Sequence, residues 1–183
     1  EVLNSAESRI FSIAQQSEQR HAEQLDELLN DAIRRLEEND GRIITGISTG
    51  YPNLDEITSG LQPGEMIIVA ARPSMGKTAL ALNIAENMTM RDVPVALFSL
   101  EMSRQQLVQR LLSSRASVSG HNIRRNMLSD RDMSAIIQAA DDLMKRPLFI
   151  DDTPSLSITQ LRAKARRLKQ SHDIGVVILD YLQ

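Results

Sequence analysis

The chain has 183 residues, 42% hydrophobic and 25% charged, so it is long enough to bury one core and is not a disordered polymer. It contains no cysteine, which excludes a disulfide scaffold, a thiolate zinc site and a cysteine nucleophile. A net charge of −3 argues against a constitutively basic nucleic-acid coat, and no apolar run approaches the length of a membrane span. A soluble, cytoplasmic chain without a membrane partner is the expectation.

Residues 1–40 read as a helical arm. Val2, Leu3, Ala6, Ile10 and Ile13 recur at helical spacing, then Leu25, Leu28, Leu29, Ala32, Ile33 and Leu36, with a break in the polar run 15–19. Residues 1–46 carry ten acidic against five basic side chains, whereas the remainder carries fourteen against sixteen. The arm is thus electrostatically distinct from the rest of the chain. Its apolar stripe can pack on the chain's own core or dock on a neighbouring subunit. Residues 41–64 read as a linker with turns and one short helix around Asn53–Ile57.

Beyond the turn at Gln62-Pro63-Gly64, apolar strands and helices alternate. Strands are expected at Met66–Ala70, Val95–Leu100, Leu148–Ile150 and Gly175–Leu179. Helices are expected from Lys77 to about Met90, over Ser103–Ser117 with Ser103 as N-cap, from Ser129 to about Lys145, and from Ser157 to about Ser171. A turn centred on Gly120 separates the second and third of these helices. Such alternation predicts an α/β fold, a parallel sheet covered by helices on both faces.

The chemistry is concentrated in Ala71-Arg72-Pro73-Ser74-Met75-Gly76-Lys77-Thr78, a phosphate-binding loop with alanine in place of the first glycine. A strand ends, the backbone curls so that successive N–H groups converge, and a helix begins. In this motif Gly76 gives close approach to phosphate, Lys77 places its charge on the β- and γ-phosphates of ATP, and the Thr78 hydroxyl ligates Mg2+. The nucleotide-contacting run extends through Ala79. Ala71 is tolerable if its φ is negative.

Val176-Val177-Ile178-Leu179-Asp180 is an apolar strand ending in a carboxylate, roughly 100 residues after the loop, where an Asp orients the metal. Leu148–Asp152 is a shorter rival opened by Pro147. Glu101 follows the strand after the loop and can polarise an attacking water, or it can be a solvated glutamate before the cap at Ser103. His21, His121 and His172 lack metal-ligand spacing, and Arg162, Lys164, Arg166, Arg167 and Lys169 form a basic helix whose ordinary meaning is a solvated face.

Together these strings resemble the motor of DnaB-type replicative DNA helicases. The resemblance rests on Thr45–Tyr51, Gly60–Gly64, Ala70–Thr78, Phe98–Met102 and Asp180-Tyr181-Leu182-Gln183, with Ala6–Phe11 similar to the interdomain linker helix. It implies a RecA-like P-loop NTPase core over residues 41–183, preceded by the linker arm 1–40 and incomplete at its C-terminal side. The implied activity is hydrolysis of ATP with Mg2+ by a homohexamer that translocates on single-stranded DNA and unwinds duplex. In that family pattern Glu101 activates water, Asp180 positions the metal and Gln183 senses the γ-phosphate. The linker helix near residues 3–16 packs on the adjacent subunit, and primase and a helicase loader are the expected partners.

The resemblance also implies that DNA-binding loops, an arginine finger and a strand lying between Met66–Ala70 and the Asp180 strand come from sequence after residue 183. The 183-residue chain alone is therefore expected to bind nucleotide poorly and not to unwind DNA. The alternative functions are a RecA-like recombinase or regulatory ATPase, and an interaction fragment without enzymatic activity.

Overall fold

A computed structural model describes residues 24–38, 44–72 and 74–181. The chain divides into two units between residues 42 and 43. Of the first, the described part is helix α1, Leu25–Glu38. Leu25, Leu29 and Ile33 lie along one row of α1 and are at least half exposed. The expected helix nearer the N-terminus lies outside the described residues.

The second unit is built on a parallel sheet. Strand β1 spans Val95–Ser99, β2 Leu148–Asp151 and β3 Val176–Asp180, in the order β2-β1-β3. Register aligns Val95 with Leu148 and Val176, and Ser99 with Asp180. Every residue of β1 is buried, as a central parallel strand with both faces covered must be.

Alternation sorts the side chains into two layers. On one face Val95 and Leu97 pack with Leu148, Ile150, Val176 and Ile178 against helix α3, Lys77–Thr89, through Leu82, Ala85 and Met88. Helix α4, Arg104–Ala116, adds Leu107 and Leu111 to the same layer. On the other face Ala96, Phe98 and Phe149 meet Leu161, Ala165 and Leu168 of helix α7, Ile158–His172. Ser103, Ser129 and Ser157 each close a capping box at the start of α4, of helix α6 (Asp130–Leu143) and of α7. Each satisfies orphan N–H groups at a fixed point in the sequence, which is why these boundaries fall where the residue pattern predicts. The turn expected around Gly120 is instead a short helix, α5, Gly120–Arg125.

Two expectations need correction. The short helix expected around Asn53–Ile57 is present, but residues 44–61 are more than a linker. Helix α2, Pro52–Thr58, presents a buried Asp55 whose Oδ1 accepts from Thr49 N and Thr49 Oγ1, both at 2.7 Å, and whose Oδ2 accepts from Ser48 Oγ at 2.5 Å. Asn87 Nδ2 donates to the Thr49 carbonyl (3.2 Å) and Arg91 Nη1 to Ser48 Oγ (2.5 Å), so this clasp is tied to the C-terminal end of α3. At Gly50, φ is +84° and a Cβ would lie 2.5 Å from Asn87, so the close approach requires glycine. Burial alone would push the Asp55 carboxyl up. The donors Ser48, Thr49 and Gly50 outweigh burial and hold it below the usual carboxylate value.

The second correction concerns Met66–Ala70. It joins no ladder, and Met66 and Ile68 are 78% and 71% exposed. An apolar run becomes a strand only where a neighbouring backbone accepts its N–H and C=O groups. The sheet offers this segment no neighbour among the described residues, because β3 pairs with β1 alone.

Candidate active site

In the phosphate loop Met75 N donates to the Arg72 carbonyl at 3.2 Å. Ser74 and Gly76 take positive φ, +64° and +89°, and Gly76 is the N-cap of α3. A side chain at Gly76 would meet no obstacle, so the requirement for glycine there is conformational. Ala71 is not among the residues of positive φ. Ser74, Met75 and Gly76 are exposed. Ala79 is exposed on the first turn of α3, and Pro73 and Gln183 lie outside the described residues.

Lys77 and Thr78 meet the carboxylate that ends β3. Thr78 Oγ1 donates to Asp180 Oδ2 at 2.7 Å, and Lys77 Nζ lies 3.0 Å from Asp180 Oδ1. Asp180 is 4% exposed, so the ammonium and the hydroxyl compensate a carboxylate that water scarcely reaches. Lys77 Nζ also sits 4.5 Å from the centroid of the Tyr181 ring, a cation–π contact that sequence reading did not foresee. The rival carboxylate is engaged elsewhere. Asp151 Oδ2 accepts from Lys164 Nζ at 2.6 Å. Burial pushes Asp151 up, but Lys164 and Thr153 hold it below the usual carboxylate range.

Glu101 lies two residues past the end of β1, whose Ser99 faces Asp180 across the ladder. It is therefore carried to the edge of the sheet where Asp180 and the loop converge. Its side chain is exposed and makes no hydrogen bond or ion pair among the described residues. The buried Ser99 Oγ accepts from Met102 N (3.1 Å), and Leu100 N donates to the Asp180 carbonyl (2.7 Å). Sequence reading missed Ser99, although a hydroxyl closing an otherwise apolar strand was a signal for it.

Two hard oxygen ligands, the Thr78 hydroxyl and the Asp180 carboxylate, fit Mg2+. No group of three His, Asp or Glu able to cage a metal occurs among the described residues, so ligands would have to be completed by water and substrate phosphate. His121 is exposed, His172 stacks on Phe149 with ring centroids 4.4 Å apart, and His21 lies outside the described residues. On the basic helix α7, Lys169 pairs with Asp173, and Arg162 and Arg167 are exposed. No described helix is long and apolar enough to cross a membrane.

A glycine-kinked loop opening a helix, beside a parallel strand that delivers an aspartate to the same edge, defines the P-loop class of α/β proteins. Within that class the chain belongs to the DnaB-like helicase C terminal domain family, which it matches over residues 46–183. It is 43% identical to the replicative DNA helicase DnaB of Geobacillus stearothermophilus over all of this chain and 41% of that protein. It superposes on a solved ATPase domain with a TM-score of 0.80 at 34% identity, covering 88% of this chain and 58% of that one. A DnaB-like replicative helicase solved for its interactions with primase gives 0.77 at 30% identity, covering 99% and 44%. The chain spans between 21% and 41% of the length of the curated relatives it matches.

Proposed function

We propose that this chain is the nucleotide-binding part of the motor of an ATP-dependent replicative DNA helicase. The observation that carries the reading is the joining of Lys77 and Thr78 to Asp180, which brings loop and strand-end carboxylate into one site. Family membership gives that site its context.

In the proposed mechanism the loop N–H groups cradle the phosphates, and the Lys77 ammonium leaves Asp180 to sit on the β- and γ-phosphates. Thr78 and Asp180 would hold the metal ion. When bound, Mg2+ supplies charge neutralisation of the phosphate oxygens. Glu101 accepts the proton of the water that attacks the γ-phosphorus, and the diphosphate leaves into the loop. Gln183 is proposed to report the state of the γ-phosphate.

The arm 1–40 and the ATPase part 41–183 are proposed as separate domains. Assembly into a homohexamer around single-stranded DNA, with primase and a loader as partners, belongs to the same proposal, and the likeness to a DnaB-like replicative helicase solved for its interactions with primase supports the primase part of it. The exposed residues Met133 and Ile137 on α6, with Met144 beyond it, are consistent with a face that another subunit covers.

ATP hydrolysis by the full-length protein, with and without single-stranded DNA, tests the reading. Stimulation by DNA that vanishes in Lys77→Ala supports a DNA-coupled motor. Hydrolysis indifferent to DNA moves the protein to the regulatory ATPases.

A further inference from the structure

Because the Glu101 carboxylate has no side-chain tether, its place is set by the backbone on either side. The N-terminal side is fixed by the sheet, through Leu100 N on the Asp180 carbonyl, and Met102 N, just after Glu101, reaches back to Ser99 Oγ. The C-terminal side is fixed by a residue far away in sequence. Asp152 Oδ2 accepts from Arg104 N at 2.9 Å, and Asp152 Oδ1 lies 3.2 Å from Arg104 Nε. Arg104 is the first residue of α4, three beyond Glu101, and Asp152 directly follows β2.

The Asp152 anchor is itself held. Next to it, Asp151 accepts from Thr153 N at 2.9 Å and Thr153 Oγ1 at 2.5 Å, and pairs with Lys164 of α7. The turn after β2 is thus fastened to the helix on one face of the sheet while it grips the helix that starts behind Glu101. The exposed Arg104 guanidinium contributes little. The charge-assisted bond to the backbone N–H is the stronger of the two contacts.

We propose that Asp152 is a positioning residue for hydrolysis, holding the Ser99–Arg104 loop so that the Glu101 carboxylate meets the attacking water. The inference rests on Glu101 being the water-activating group. Misplacement of a catalytic group by about an ångström costs on the order of a hundredfold in rate, while binding contacts on other elements are untouched. Asp152 touches neither the phosphate loop nor Asp180, so its loss falls on turnover and not on nucleotide affinity.

The test uses the full-length protein and four variants, Asp152→Ala, Asp152→Asn, Arg104→Pro and Glu101→Gln, with kcat and KM for ATP and the Kd of a fluorescent ATP analogue. Asp152→Ala is expected to lower kcat at least tenfold with Kd within twofold of wild type. Asp152→Asn keeps an acceptor for Arg104 N and is expected to recover kcat to within about threefold, the rescue of a backbone hydrogen bond. Arg104→Pro deletes the N–H itself at a first helical position, where proline is tolerated and Ser103 is already extended. It is expected to keep its melting temperature and reproduce the kcat loss, and it serves if Asp152→Ala does not fold. Glu101→Gln must abolish hydrolysis with binding retained; if it does not, the reading of Glu101 fails. If it does, and Asp152→Ala and Arg104→Pro leave kcat unchanged or weaken Kd in parallel with kcat, the positioning role is overturned.

Discussion

Val95–Phe98 and Met66–Val69 are both short apolar runs, yet one is the buried centre of a sheet and the other is exposed. Composition does not separate them. Val95–Phe98 has a backbone neighbour on each side and a helix on each face, whereas Met66–Val69 has neither among the described residues. Hydrophobicity proposes a strand, and hydrogen-bonding partners decide whether it forms. Function shows the same division. At the ladder end of the sheet Asp180 is locked to Lys77 and Thr78, while the run leading into the loop joins no ladder among the described residues.

The largest expected contrast comes from core truncation. Phe98→Ala should destabilise the 183-residue chain by about 3–5 kcal/mol, measured by urea unfolding, because it empties a fully packed site. Ile68→Ala should change it by less than about 0.5 kcal/mol, as at other exposed positions. An equal cost at both positions would break the comparison.

The clasp at Asp55 should come next. Asp55→Ala leaves Thr49 and Ser48 donors inside without an acceptor and should cost roughly 2–3 kcal/mol. Because the folded carboxyl lies below its ordinary value of 3.8, the stability it confers is present above that value and is lost as pH falls through the folded pKa. The gap in unfolding free energy between wild type and Asp55→Asn should therefore narrow below about pH 4. A gap that is flat with pH would remove the charge from the account of the clasp.

The smallest effect is at Glu86, a buried carboxylate on α3. Burial raises its pKa, and Arg115, 3.8 Å away, pulls it back only in part. A raised carboxyl favours the protonated form in the folded chain, so stability falls as pH climbs from 4.5 through the folded pKa. Glu86→Gln should raise the unfolding free energy slightly at pH 7, by under about 1 kcal/mol, since Arg115 keeps its contact with Asp142. A clear loss of stability would mean that the Arg115 pair outweighs desolvation.

Most of the architecture was legible because its signals are local. Ser103, Ser129 and Ser157 announce helices by capping chemistry, and the paired strands are apolar at consecutive positions as parallel strands are. Lys77, Thr78 and Asp180 were legible because a loop motif and a strand-end acid have fixed places in an α/β sheet. What escaped was non-local. Asp55 gathering Ser48 and Thr49, and Asp152 reaching Arg104, depend on which chain segments lie side by side, and an aspartate in a turn carries no mark of its partner. The strand expected at Met66–Ala70 failed for the complementary reason, since an apolar run does not announce whether a backbone lies beside it to pair with.

The most direct test of the joined site is the magnesium dependence of nucleotide binding in the full-length protein. A fluorescent ATP analogue would be titrated against Mg2+ in wild type, Thr78→Ala, Asp180→Asn and the double variant. If the Thr78 hydroxyl and Asp180 hold one metal, each single change should raise the Mg2+ requirement at least tenfold, and the double variant should be little worse than either. Magnesium dependence unaltered in both single variants would contradict the account.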